Sequence, residues 1–186
     1  MSKPTYTRKI TLCAVFISIC VIGRILLVPI PSIAPNATLT ILSGIIMGSY
    51  YGFIVGAIGM LISDLHIGAG LWTIGNVFFM GLIGFLSGIF WKNRYNSISK
   101  LELLIGAFLL TLLFDIGSSI WWFFFLYSGT PFPSIIIVAI LGLFLPVMVG
   151  SIPWPFGLIH GLSTSILLSQ ILPRIKHYLK GDASNQ

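Results

Sequence analysis

Charge is what this 186-residue chain has least of: four acidic residues stand against ten lysines and arginines, and only 8% of the sequence is charged. With 56% of the residues hydrophobic, polar surface is too scarce to clothe a soluble domain of this size, so the chain belongs in a bilayer. Catalytic signatures are missing as well. No GxxxxGK[ST] phosphate loop is present, which excludes primary transport by this chain alone. No HExxH and no nucleophile elbow occur, and serines such as Ser118 and Ser119 have no base or acid that the sequence places beside them. No catalytic residue, cofactor or metal centre is therefore expected. His66 and His160 form a weak metal pair on different segments without a third ligand. Cys13 and Cys20, seven residues apart on one helix, are separated by about 10 Å along its axis, too far to bridge.

Long apolar runs are what the chain has instead. Each reaches or approaches the roughly 20 residues that cross a ~30 Å hydrocarbon core as a helix, and none alternates as a barrel strand does. Nine of the ten basic residues fall in three short flanking segments: Lys3, Arg8 and Lys9; Lys92, Arg94 and Lys100; Arg174, Lys176 and Lys180. That distribution is the mark of a positive-inside membrane protein rather than of a nucleic-acid binder. Arg24 near the end of the first run, and the lack of a small-residue cleavage pattern, mark that run as a retained span rather than a signal peptide.

If all three basic clusters share one side, an even number of crossings separates each from the next. The run 37–66 would measure about 45 Å as one helix, too long for a single upright crossing, so it breaks at "GSYYG" (48–52). Spans are then expected at 10–28, 37–49, 51–66, 73–91, 101–127 and 155–172. The segment 134–150, short and followed by a proline-rich stretch, is expected to be re-entrant, tilted or interfacial. The fold class is an all-α integral membrane protein, a six-transmembrane-helix bundle forming one domain over residues 1–186, with both termini cytoplasmic.

Small residues recur every fourth position at Gly44, Gly48, Gly52 and Gly56, at Gly84 and Gly88, and at Gly157, Gly161, Ser165 and Ser169. In lipid such stripes mark helix contacts, because association there depends on close approach rather than on expulsion from water. Ala14 and Ser18 form a smaller stripe that faces either a neighbouring helix or a partner protein.

Ionisable groups within spans are costly and turn toward a cavity or toward one another. Here they are Arg24, Asp64, His66, Asp115 and His160, with Asn76 as a polar companion. On the expected topology all of them lie in the outer half of the bundle, Asp115 about 21 Å up the fifth helix. A proton or ion conduit would string such groups across the whole membrane; a one-sided cluster fits a pocket that opens outward. Each residue keeps a structural alternative. Arg24 locks the first helix to the third through Asp64, meets a ligand, or does both. His160 is a hydrogen-bonded core histidine or a ligand contact. Asp115 caps a helix distortion or faces the pocket. Trp121 and Trp122 stack on an aromatic ligand or form an interfacial belt.

The run from Gly23 to Phe90 resembles the substrate-binding S components of energy-coupling factor (ECF) vitamin transporters, and most of all the branch with cobalamin-type S components. The matching elements are Gly23 and Arg24, the proline-rich loop through Pro29, Pro31 and Pro35 to Asn36, the Gly44 and Gly48 pair, "GLWT" at 70–73 and "GLIGFLSG" at 81–88. Residues 153–173 look like the family's last helix, with His160 at the matching histidine. The chain departs from the pattern at Asp64, where asparagine is expected, and at Leu162 and Ser163, where the family often has Gly-Asn. The resemblance implies a six-helix bundle that captures a micronutrient near the outer face and docks onto a coupling membrane subunit driven by two cytoplasmic ATPases. It places Ala14 and Ser18 at the coupling-subunit contact. The expected substrate-binding residues are Arg24, Asn36, Asp64, His66, Trp72, Asn76, Asp115, Trp122 and His160, and the first substrate expected is a corrinoid. The alternatives are a scaffold or assembly protein without a ligand and, further off, an intramembrane enzyme.

Overall fold

A computed structural model describes residues 6–30, 33, 35–126, 131–134, 136–137, 147–149, 152–154 and 156–184. Among these residues six α-helices carry the fold: α1 (Tyr6–Leu26), α2 (Pro35–Met47), α3 (Ser49–Ile67), α4 (Leu71–Trp91), α5 (Lys100–Leu126) and α6 (Phe156–Ser184). A short 3₁₀ turn, Lys92–Arg94, follows α4. Four stretches are long and apolar enough to cross a membrane: Thr7–Leu26, Ser49–Ile67, Leu71–Arg94 and Lys100–Trp122. The chain is thus a multi-pass membrane protein.

α2 is the shortest of the six and the most enclosed. At 13 residues it spans about 20 Å, less than a hydrocarbon core. Eleven of its residues are nevertheless buried, because α1, α3, α4 and α6 all pack around it. A helix sheathed by protein on every side has no lipid thickness to match. Pro35 opens it, where a missing N–H costs nothing and the fixed φ suits the first turn.

The long apolar run is interrupted at Gly48, whose φ of 103° is open to glycine and strained for side-chain-bearing residues. The helices resume at once, so α2 and α3 form a tight hairpin. Lys92 Nζ donates to the Met47 carbonyl at 3.1 Å, satisfying a carbonyl that the end of α2 leaves free. At the other end of α3, Gly68 (φ 134°) stops the helix with its N–H on the Asp64 carbonyl, 2.8 Å away. α4 begins three residues later, and the Thr73 hydroxyl accepts the Gly70 N–H at 3.1 Å.

The hairpins set two ends. Lys9, over the Tyr51 ring, Lys92 on Met47 and Lys176 over the Tyr95 ring mark the basic end. The α3–α4 turn and the last turn of α1 mark the loop end. Toward the basic end α2, α3 and α4 meet through glycines. A Cβ on Gly44 would strike Ser87 and the Gly84 backbone, one on Gly52 would strike the Gly84 backbone, and one on Gly88 would strike Ser49. The Ser87 hydroxyl donates across this seam to the Ile41 carbonyl at 3.0 Å.

Most of 134–150 lies outside the described residues. Its last part forms β1 (Val147–Val149), which pairs antiparallel with β2 (Ile152–Trp154), Met148 opposite Pro153. α6 runs past the expected end at 172 because Pro173 removes only one N–H from the ladder, and the turns beyond it re-form.

Candidate functional site

At the loop end the seam opens. Two adjoining cavities lie there, of about 400 and 290 Å³, and they share Asn76 and Ser118 on their walls. The inner one is bounded by Arg24, Asn36, Met60, Met80, Phe114 and His160 together with the shared pair. The mouth is bounded by Trp72, Ser119 and Trp122. Side chains from all six helices thus converge on one space.

Three helices are tied at its edge by a single buried carboxylate. Arg24, in the last turn of α1, donates through Nη1 to Asp64 Oδ1 and, at 2.7 Å, to the Ser63 hydroxyl. Asn76 Nδ2 donates to Asp64 Oδ2 at 3.3 Å. Asp64 is 2% exposed, so its charge depends on these donors, while Arg24 keeps part of its guanidinium in the cavity wall. The sequence left open whether Arg24 pairs with Asp64 or meets a ligand; the geometry has it do the first and leaves it placed for the second.

A second polar unit joins α5 to α6. His160 Nδ1 lies 2.9 and 3.2 Å from the two oxygens of Asp115. With Asp115 ionised the carboxylate accepts, so Nδ1 carries the proton and donates; either way the contact fixes the ring's orientation and turns Nε2 the other way. Phe114 meets the imidazole edge-on, 5.9 Å between centroids. His160 Nε2 is buried and has no partner among the described residues, and the same holds for Asn36 Oδ1. Both residues line the inner cavity. Buried polar atoms left unmatched in a cavity wall are groups that a bound molecule would satisfy.

The mouth is aromatic. Trp72 and Trp122 stand edge to face with centroids 5.2 Å apart. Trp121 packs into the space that Gly75 leaves, where a Cβ would collide with it, and its indole N–H donates to the Leu71 carbonyl at 2.9 Å. This anchors the outer part of α5 to the first turn of α4 and brings Trp122 to Trp72.

Of the expected site residues, Arg24, Asn36, Trp72, Asn76, Trp122 and His160 line the cavities, and Asp64 and Asp115 stand directly behind Arg24 and His160. His66 does not join them. It is exposed, because two residues along a helix turn the side chain by about 200°, away from the face that buries Asp64. Met60, Met80, Phe114, Ser118 and Ser119 were not anticipated as cavity walls. Met and Phe in an apolar helix look the same whether they face lipid, core or cavity, and the two serines were considered only as nucleophiles. Ala14 and Ser18 are exposed on α1, one turn apart, with the Ser18 hydroxyl turned back onto the Ala14 carbonyl at 2.9 Å.

A bundle of membrane helices that closes on itself at one end and holds, at the other, a small-molecule-sized cavity with apolar walls and a few polar groups has the form of a membrane-embedded binding protein. Residues 5–163 match the family model of the ECF-type riboflavin transporter, S component, and the chain belongs to that family. A comparison with curated proteins finds no match. Membership makes the chain a substrate-capturing transport subunit of the membrane, working with an ECF coupling module, rather than an enzyme. The family named is the riboflavin one and not the cobalamin-type branch that the sequence suggested.

Proposed function

We propose that the chain captures a flavin, riboflavin in the first place, from the outer side of the membrane and delivers it inward by docking to the ECF coupling subunit and its two ATPases. The observation that carries this reading is the pair of adjoining cavities at the loop end, whose walls hold the unmatched His160 Nε2 and Asn36 Oδ1. The mouth and the inner space, at about 400 and 290 Å³, lie toward the lower part of the range of small-molecule sites. That size, with the name of the matched family, favours a tricyclic ring system over the corrinoid first expected. In this reading Trp72 and Trp122 offer planes for the ring, Met60, Met80 and Phe114 offer apolar walls, and the unmatched nitrogen and oxygen recognise the ring's polar edge.

The basic end is then cytoplasmic, as the positive-inside rule requires, and the cavities open outward. α2 and α6 join the four long spans to give six crossings with both termini inside. Ala14 and Ser18, exposed on α1 and small, leave a surface on which a partner helix can approach closely. Titration of the detergent-purified protein with riboflavin, followed by quenching of flavin fluorescence, tests the reading. Saturable binding with one flavin per chain is expected; no quenching, with binding of cobalamin instead, refutes it.

A further inference from the structure

A further cavity, of about 270 Å³, lies between α1 and α3 at the basic end, away from the site described above. Nearer the loop end these two helices approach closely, and a Cβ on Gly59 would stand 3.2 Å from the Cys20 Cβ. At the basic end Ile10, Ala14 and Ile17 of α1 form one wall of a groove, and Tyr50, Tyr51 and Ile54 of α3 form the other. From Ile10 to Ile17 it follows α1 for about 10 Å. Cys13, the buried residue of its walls, touches Met47 across 3.9 Å between sulfurs, so the groove runs up to the α2–α3 turn.

That turn carries two cations. Lys9 Nζ sits over the Tyr51 ring, 5.2 Å from its centroid, and Lys92 Nζ reaches the Met47 carbonyl beside Gly48. A cation–π contact orients an ammonium without neutralising it, and an ammonium with one carbonyl partner keeps two further donors. Neither lysine has an acidic partner among the described residues. Glu102 is taken by Arg94 and by the Trp91 indole, and the first turns of α1 and α3 hold no acid. Tyr50, 70% exposed and edge-on to Tyr51, brings a hydroxyl to the same place. An apolar channel that ends at uncompensated positive charge complements a molecule with an apolar tail and an anionic head.

We propose that the groove seats an anionic diacyl phospholipid of the inner leaflet, one acyl chain along the groove from Ile10 to Ile17 and the phosphate at Lys9 and Lys92. Basic pockets between membrane helices on the cytoplasmic side suit such headgroups. The size of the groove favours a chain over a helix. A partner helix, about 10 Å across, lies over a groove of this volume, whereas an acyl chain lies within it. Ala14 belongs both to the groove and to the face offered to a partner helix, so lipid and partner exclude one another there. The proposal rests on the inward orientation of the basic end and not on the flavin reading.

Native mass spectrometry of the full chain in detergent, titrated with phosphatidylglycerol or with phosphatidylcholine of the same acyl chains, tests it. One phosphatidylglycerol per chain is expected, bound roughly tenfold or more tightly than phosphatidylcholine, as two lysines beside an anionic group allow. Lys9→Gln with Lys92→Gln should abolish this preference. Lys9→Gln alone, which spares the Met47 carbonyl, should lower it by roughly threefold or more. Ala14→Phe, at an exposed position, fills the groove and should weaken both lipids by roughly tenfold. Lys100→Gln with Arg174→Gln removes equal charge elsewhere at the basic end and should leave the preference intact. Equal retention of the two lipids overturns the proposal, as does a preference lost equally in the Lys100 and Arg174 pair, or lipid binding unmoved by Ala14→Phe. If the free chain retains no lipid and Ala14→Phe only blocks assembly with the coupling subunit, the groove is a helix seat and the proposal falls. No readout here uses riboflavin, so the flavin reading stands or falls separately.

Discussion

The two halves of the bundle are built from opposite materials. Toward the basic end, α2, α3 and α4 approach backbone to backbone through Gly44, Gly52, Gly84 and Gly88, with only small side chains such as Ser87 and Thr40 at the seam. Toward the loop end α1, α3 and α4 meet through polar side chains instead, Arg24 and Asn76 both on Asp64, and the cavities lie beside that link. The difference teaches how a small membrane protein keeps a hole open in lipid, where no hydrophobic effect pulls helices together or apart. The glycine seam lets the backbones approach closely, and polar side chains link the helices where the cavity lies.

The comparison can be broken most severely at the polar links. Arg24→Ala leaves Asp64 buried with only the Asn76 amide, and a loss of about 3–5 kcal/mol is expected, read as thermal unfolding in detergent. Arg24→Ala with Asp64→Asn should recover most of it, since the uncompensated charge is gone. At the seam, Gly84→Leu drives a side chain into the Gly52 backbone and Thr40, and overpacking of this kind costs about 1–3 kcal/mol or more. The contrast between halves sharpens if this variant loses stability and flavin binding together.

His160→Ala should separate the two properties. It removes the buried Nε2 and its partner Asp115 contact, so riboflavin affinity is expected to fall by about 1–3 kcal/mol, roughly ten- to a hundredfold, with a smaller change in unfolding temperature. Loss of stability without loss of affinity would make the Asp115–His160 pair a strut like Arg24–Asp64. Gly68→Ala, in a loop where a Cβ meets nothing within 4 Å, carries only the backbone cost of a positive φ and should destabilise by about 1 kcal/mol. Smallest of all, Arg94→Ala at the basic end breaks an exposed pair with Glu102 and should change stability by no more than about 0.2–1 kcal/mol.

Much of the architecture was legible because it follows from periodicities that lipid enforces. The need to break the run 37–66, the glycine stripes and the one-sided placement of Arg24, Asp64, Asp115 and His160 were all visible as spacings along the chain. The rotation of each side chain about its helix was harder to read. Asp64 and His66 were grouped by depth, yet their angular separation puts one in the interior and the other outside. Met60, Met80 and Phe114 were hidden for the same reason, since an apolar residue in an apolar helix carries no mark of the direction it faces.

By itself, then, the sequence determined that this chain lives in a bilayer, that its helices meet through small residues, and that the few ionisable groups within its spans gather toward one end, because each of these rests on composition and one-dimensional spacing. Only the tertiary structure decided which charges pair, that Arg24 answers Asp64 while His160 answers Asp115, and that Asn36 and His160, each with a buried polar atom unmatched among the described residues, line one cavity. Pairing needs distances between helices that are remote in sequence, and those distances are set where α2, α3 and α4 close on their glycines.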